Sequence, residues 1–146
     1  MYKNFLIATD GSELAHKAVR AGLDLAKSLG SAVTLATERW PVVEIAAQAE
    51  MGVKDPVGHF EALAEKGARS TLAAAAEIAA EIGLECAEVH VKDQAPASGI
   101  VETARDVNAD LIVLASHGRR GPEKMMLGSV ANEVLARSKV PVLIVR

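Results

Sequence analysis

Five apolar runs alternate with helical patterns along this chain of 146 residues, and no other feature constrains its fold as much. Each run is short and bounded by turn-forming residues, which predicts strands at 4–9, 32–37, 85–91, 111–115 and 140–145. Between them, apolar residues recur every three or four positions, which predicts helices. This alternation favours right-handed crossovers, and hence a parallel sheet with helices on both faces. The predicted fold class is α/β, a doubly wound five-stranded parallel sheet.

The whole chain, 1–146, is predicted to form a single domain, because it contains no internal repeat and no low-complexity linker. Helix starts are indicated at Ser12, Pro56, Pro96 and about Val130. The apolar face of the first helix is expected to include Leu25 and Leu29. The segment 38–57 fits the pattern least, since Trp40-Pro41 interrupts any regular element and 42–50 is only weakly helical.

Composition argues against several classes of protein. Only 3% of the residues are aromatic and the net charge is −3, whereas nucleic-acid binders carry stacking surfaces and a basic face. The lone cysteine, Cys86, excludes an intramolecular disulfide and a multi-cysteine metal site. No apolar stretch has the length of a membrane span or the form of a signal peptide. We therefore expect a cytoplasmic protein with neither nucleic acid nor membrane as partner.

The strand at 111–115 leads into a loop that carries glycines and three basic residues, Arg119, Arg120 and Lys124. That loop ends at Gly128-Ser129, where the last helix begins. A glycine and a hydroxyl residue at a helix start leave backbone N–H groups free to bind an anion. The sequence therefore predicts a phosphate at this helix start.

The expected strand order, 3-2-1-4-5, reverses between strands one and four. In such sheets a crevice opens at the carboxyl ends of the strands where the order reverses, and ligands bind there. Residues 8–11 and 115–129 would line that crevice. The topology and the helix start thus indicate the same site by partly independent arguments.

Two common phosphate-binding motifs are absent, namely G-x-x-x-x-G-K-[ST] and G-x-G-x-x-G. Instead, Ile-Ala-Thr-Asp-Gly-Ser at 7–12, Asp-Leu-Ile-Val-Leu-Ala-Ser-His-Gly at 110–118, Gly-Ser-Val at 128–130 and Val-Pro-Val-Leu-Ile-Val at 140–145 occur together. This set resembles the ATP-binding branch of the universal stress protein family over essentially the whole chain. The family's signature is G-x-x-G, nine residues, then G-[ST]. Gly118, Gly128 and Ser129 match it, whereas Ala115 replaces the first glycine.

The resemblance implies an adenine nucleotide alpha hydrolase-like fold and a nucleotide site. Ala8, Thr9 and Asp10 would border the adenine and ribose, and Thr37 would face the adenine. Residues along the ribose and phosphates would be Ala115, Ser116, His117, Gly118, Arg119, Gly128, Ser129 and Val130. The ligand would be ATP, with Mg²⁺ or Mn²⁺ held through its phosphates rather than by the protein. No catalytic residue is predicted, so hydrolysis would be slow at most.

The resemblance also implies a regulatory role in the stress response, with an unidentified protein partner and a homodimer formed through the strand at 140–145. A long apolar edge strand favours the same dimer, because it needs a partner.

Other interpretations remain open from the sequence. The methyl group of Ala115 leaves AMP, ADP or a cyclic nucleotide as alternative ligands. Asp10 and Gly128-Ser129 also suit simple helix caps. In that case the chain would be a nucleotide-independent dimeric interaction protein that uses the segment 40–58.

Overall fold

A computed structural model describes residues 1–38, 50–52, 54–92, 95–118 and 127–146, which form five strands and four helices. In chain order these are β1 (Asn4–Ala8), α1 (Glu13–Leu29), β2 (Ala32–Glu38), α2 (Pro56–Ile82), β3 (Ala87–Val91), α3 (Pro96–Asp106), β4 (Leu111–Ala115), α4 (Ser129–Arg137) and β5 (Val142–Val145). Residues 40–49, in the segment that fitted the predicted pattern least, lie outside the described residues. The same holds for Arg119, Arg120 and Lys124. No helix among the described residues is long and apolar enough to cross a membrane.

All five strands are parallel, in the order β3-β2-β1-β4-β5, which confirms the predicted fold. Ile7 of β1 lies opposite Leu35 of β2 and Val113 of β4. The last strand is shorter than predicted, since it begins at Val142 rather than at 140. Proline has no N–H to donate to a ladder, so Pro141 contributes only its carbonyl, which accepts from Ile112 N at 3.0 Å.

Successive strand residues point to opposite faces of the sheet, and each face is covered by two helices. Phe5, Ile7 and Leu35 pack with α1 and α2 in one core layer, here called the α1/α2 face. Leu6 and Ala36 pack with α3 and α4 in the other, the α3/α4 face. The core thus has two apolar layers, one on either side of the strands.

The helix ends follow from local chemistry. The Ser12 hydroxyl caps α1 by accepting from Ala15 N at 3.2 Å, and Gly30 ends that helix in a left-handed conformation with φ of 67°. Leu25 and Leu29, expected on the apolar face, are instead exposed, whereas Leu23 is fully buried. Leu25 is about a quarter-turn from the centre of the buried stripe, and Leu29 is the last residue of the helix.

Gly22 allows α1 to lie close to the sheet. A Cβ atom at this position would lie 2.8 Å from Ile7 Cδ1 and 3.2 Å from Val113 Cγ1, both closer than ordinary van der Waals contact. These two residues belong to β1 and β4. The approach of α1 over the pair of central strands therefore requires the absence of a side chain at residue 22.

We expect Gly22→Leu to lower the free energy of unfolding by about 1–3 kcal/mol, because the added side chain overpacks a filled layer. The matched control is Gly67→Leu on α2, where an added Cβ would meet no atom within 4 Å among those described. The control gains helix propensity, up to about 1 kcal/mol. Urea denaturation measures both changes, and equal effects of the two substitutions would contradict the packing argument.

Candidate functional site

β1 and β4 are neighbours in the sheet, but the helices that follow them lie on opposite faces. After β1 the chain continues into α1, on the α1/α2 face, and the helix that follows β4 is α4, on the α3/α4 face. Because the two connections leave on opposite sides, a crevice forms between them, and ligands bind at this position in open α/β sheets.

The turn after β1 is held by its own side chains. Thr9 N donates to Ala36 O at 2.9 Å, and the Thr9 hydroxyl accepts from Gly11 N at 3.2 Å. Asp10 Oδ1 accepts from Ser12 N at 2.9 Å, while Gly11 adopts a φ of 79°. The cap of α1 is therefore Ser12 rather than Asp10, and the Asp10 side chain instead stabilises the turn that leads into the helix.

Asp10 also lies against the loop after β4. A Cβ atom added at Gly118 would be 2.8 Å from Asp10 Oδ2, so only glycine fits beside this carboxylate without a shift. This contact places the ends of β1 and β4 within van der Waals reach of each other. The sequence prediction that Asp10 and Gly118 share one site is thus consistent with their positions.

The start of α4 is tied to the end of β4 by one short backbone bond. Gly128 N donates to Ser116 O at 2.7 Å, and a Cβ atom at Gly128 would lie 3.0 Å from that same oxygen. Ser116 N in turn donates to Val145 O at 2.8 Å, which extends the β4–β5 ladder. A side chain at residue 128 would therefore push α4 away from the sheet.

The first turn of α4 is suited to an anion. Gly128 occupies the N-cap position in an extended conformation and has no side chain to accept from the following amides, and this turn contains no acidic residue. In α1, by contrast, the Ser12 cap and Glu13 supply an acceptor and a negative charge. Unsatisfied N–H groups and the helix dipole together favour a bound negative group near Ser129 and Val130.

His117 follows Ser116 at the same edge. Its Nδ1 atom lies 2.9 Å from the Ser116 hydroxyl, whereas its Nε2 atom is buried without a hydrogen-bond partner in the described part of the chain. A buried polar atom of this kind calls for a partner. Among the described residues, Nε2 therefore has an unused hydrogen-bonding position at this end of β4.

The sequence analysis missed Glu38, the last residue of β2. Its side chain alternates with Thr37 and therefore shares the α3/α4 face with Ala36, where α4 also packs. Thr37, which was expected to face the adenine, instead shares the α1/α2 face with Leu35. A single charged residue at the end of a strand that otherwise holds only apolar residues and threonines was the signal available in the sequence.

The Glu38 carboxyl group has a raised pKa. Burial, and then the negative charge of Asp10, raise its pKa from 4.5 to about 7. Its Oε2 atom is buried and has no hydrogen-bond partner among the described residues. The group is therefore largely neutral at slightly acidic pH and becomes charged just above neutrality.

Several predicted site residues thus meet at one edge of the sheet: Ala8, Thr9, Asp10, Ala115, Ser116, His117, Gly118, Gly128, Ser129 and Val130. Arg119 lies outside the described residues. Within the described ranges, no three His, Cys, Asp or Glu side chains are grouped so as to hold a metal ion.

We expect Glu38→Gln to stabilise the protein by about 2 kcal/mol at pH 8 and much less at pH 4.5. The raised pKa means that the folded state retains a proton which the unfolded chain releases, so wild-type stability falls as pH rises from 4.5 to 7. Glutamine has no proton to lose. Thermal melts across this range measure the difference, and Glu85→Gln, at an exposed position, is the control. Equal melting-temperature shifts at both pH values would contradict the assignment.

Comparison with known proteins matches the universal stress protein family over residues 1–146. The universal stress protein YxiE of Bacillus subtilis is 32% identical over 150 residues, and the alignment covers all of both chains. The universal stress protein MJ0531 of Methanocaldococcus jannaschii is 31% identical, with all of this chain and 83% of the relative covered.

A solved structure described as a universal stress protein in complex with cAMP has the same fold. It is 28% identical, with a TM-score of 0.71, and the alignment covers 99% of this chain and 97% of that one. The fold, the match over the full length and the identity to YxiE agree. This chain belongs to the universal stress protein family.

Proposed function

We propose that this protein binds an adenine nucleotide, with ATP as the principal ligand, in the crevice between β1 and β4, and that the nucleotide acts as a regulatory ligand. The observation that carries the proposal is the start of α4, where the amides after Gly128 have no side-chain cap and face the edge that holds Asp10 and Gly118. The related protein solved with cAMP supports an adenine nucleotide as the ligand class.

The phosphates would lie at the first turn of α4. Backbone N–H groups of Ser129 and Val130, with the Ser129 hydroxyl, would donate to phosphate oxygens. Gly118 and Gly128 keep the loop after β4 close to Asp10 and the start of α4 close to Ser116, because a side chain at either position would meet Asp10 or the Ser116 carbonyl. The ribose would then lie along Ala115, between the two strand ends. Arg119, Arg120 and Lys124 supply positive charge in the adjoining sequence for the outer phosphates.

A divalent ion, Mg²⁺ or Mn²⁺, would be held through the phosphate oxygens, which suits a hard cation. Rapid phosphoryl transfer needs a firmly held metal, a base and a positioned water. The proposal is therefore for binding and release, with hydrolysis slow at most. Occupation of the site would alter contact with a protein partner in the stress response.

We further propose that two copies associate through β5. Among the described residues this strand pairs only with β4, so its outer edge offers unpaired backbone groups. Leu143 is 36% exposed there. Antiparallel pairing of two β5 strands about a two-fold axis would satisfy these groups and cover the leucine.

Ser129→Asp is expected to weaken Mg-ATP binding at least about tenfold, because it places a carboxylate where the phosphates would lie. An acidic residue in the first turn of a helix is stabilising by about 0.3–1 kcal/mol, so the melting temperature should hold or rise. Calorimetric titration with Mg-ATP and thermal melts measure the two effects separately.

Ser70→Asp, an exposed position on α2, adds the same charge far from the crevice and should leave the affinity unchanged. In the wild type, ATP at about a hundred times its Kd should stabilise the fold by roughly 2.7 kcal/mol. Absence of any melting shift at millimolar ATP would refute nucleotide binding and favour a nucleotide-independent interaction protein. Unchanged affinity in Ser129→Asp would refute the site.

Leu143→Glu is expected to shift the protein from dimer to monomer, because the two introduced carboxylates would meet near the two-fold axis without water. Sedimentation velocity over a range of concentrations measures the change. Leu63→Glu on α2, which is 50% exposed, is the matched control and should remain dimeric. A wild-type protein that sediments as a monomer at all concentrations would contradict the proposal.

A further inference from the structure

Glu38 is a partly buried titratable group, with a buried Oε2 atom, that the proposed phosphate contacts do not use. In the parallel register it lies opposite Val91 of β3, and its neighbour two residues back, Ala36, lies opposite Ala8 of β1. The side chains beside it on the α3/α4 face are thus small or apolar. None of them offers a hydrogen bond to a carboxyl group.

The described residues provide no compensating partner for this carboxyl group. Oε2 is buried and unpartnered among the described residues, and the charge that acts on it is the like charge of Asp10. A buried polar atom without a partner costs on the order of a hydrogen bond or more, so a purely structural role does not account for it. Its position at the carboxyl end of β2, one strand from the β1/β4 crevice, places it where the far end of a bound nucleotide would lie.

The charge of a carboxyl group determines which hydrogen-bond donors and acceptors it offers. The neutral acid offers one O–H donor and one carbonyl acceptor, whereas the carboxylate offers acceptors alone. Adenine presents an acceptor at N1 beside a donor at its 6-amino group, which matches the neutral acid. Guanine presents donors at N1 and its 2-amino group, which match the carboxylate.

We propose that Glu38 reads the base of the bound nucleotide, and that its neutral carboxyl group selects adenine by pairing with N1 and the 6-amino group. This inference rests on the proposed nucleotide site and names the residue that sets its specificity. Phosphate binding at α4 does not depend on which base the nucleotide carries, so selection between adenine and guanine must come from a group at the other end of the crevice.

Two features of the surroundings support the neutral form. Burial and the Asp10 charge hold the pKa of Glu38 at about 7, so the acid is populated near neutral pH. Among the described residues, the other titratable groups at this end of the sheet are His117 after β4, His90 on β3, and Lys92, which pairs with Glu65 of α2. His90 lies opposite Thr37 and therefore on the α1/α2 face, away from Glu38. The Asp10 carboxylate thus favours the protonation state that adenine requires.

The test compares wild type, Glu38→Gln and Glu38→Leu by calorimetric titration with Mg-ATP and Mg-GTP at pH 6 and pH 8. If only the neutral acid pairs with adenine, the wild-type Kd for ATP should rise about tenfold between these pH values, and the ATP preference over GTP should fall. Glutamine also offers a donor and an acceptor, so Glu38→Gln should keep the ATP preference at both pH values.

Glu38→Gln also serves as the matched control for phosphate titration, because any pH effect that arises away from residue 38 persists in it. Glu38→Leu should lose most of the preference for ATP over GTP, by about tenfold, since it cannot pair with either base. Melting temperatures at each pH verify that the variants are folded, and the glutamine variant alone suffices if the leucine variant is not.

The outcomes separate this inference from the site on which it rests. If the wild type binds neither nucleotide at either pH, the proposed function fails and this inference fails with it. If the wild type binds ATP but all variants share its base preference and its pH dependence, Glu38 does not read the base and the nucleotide site stands. Loss of ATP binding in Glu38→Gln would likewise overturn the pairing, because glutamine presents the same donor and acceptor.

Discussion

The parallel pairing of β1 with β4 is the constraint on which the rest of this structure depends. These strands follow each other in the sheet but not in the chain, so the connections after them leave on opposite faces. That divergence opens the crevice and brings the turn after β1 to the loop after β4. It also requires the close approach of α1 over both strands, which Gly22 permits.

The polar groups at this edge form two sets: those that hydrogen-bond within the turn after β1, and those that no described residue satisfies. Hydrogen bonds within the turn engage Thr9 and one oxygen of Asp10. The start of α4, the Nε2 atom of His117 and the Oε2 atom of Glu38 are not satisfied in this way by the described residues. The first group stabilises the turn after β1, and the second is the basis of the proposal that a ligand with both phosphate and base binds here.

Asp10 links the two halves of the proposed site. Its carboxylate lies against Gly118 near the proposed phosphates, and its charge raises the pKa of Glu38 on the neighbouring strand. A negative charge in this position would be unfavourable beside the phosphates alone. It is accommodated because one oxygen accepts from Ser12 N, and because the phosphates would lie on the amides of α4 instead.

The sequence by itself determined the order of the elements, the parallel sheet and the position of the anion-suited helix start, because apolar periodicity and caps such as Ser12 and Gly30 are local properties. Only the tertiary structure decided which side chains share a face. Thr37 and Glu38 are adjacent in the chain, yet the pleat sends them to opposite faces, and packing selects the face that α4 covers. Leu25, Leu29 and the start of β5 differ from expectation for local reasons instead: the angle of Leu25 around α1, the position of Leu29 at the end of that helix, and the missing N–H of Pro141.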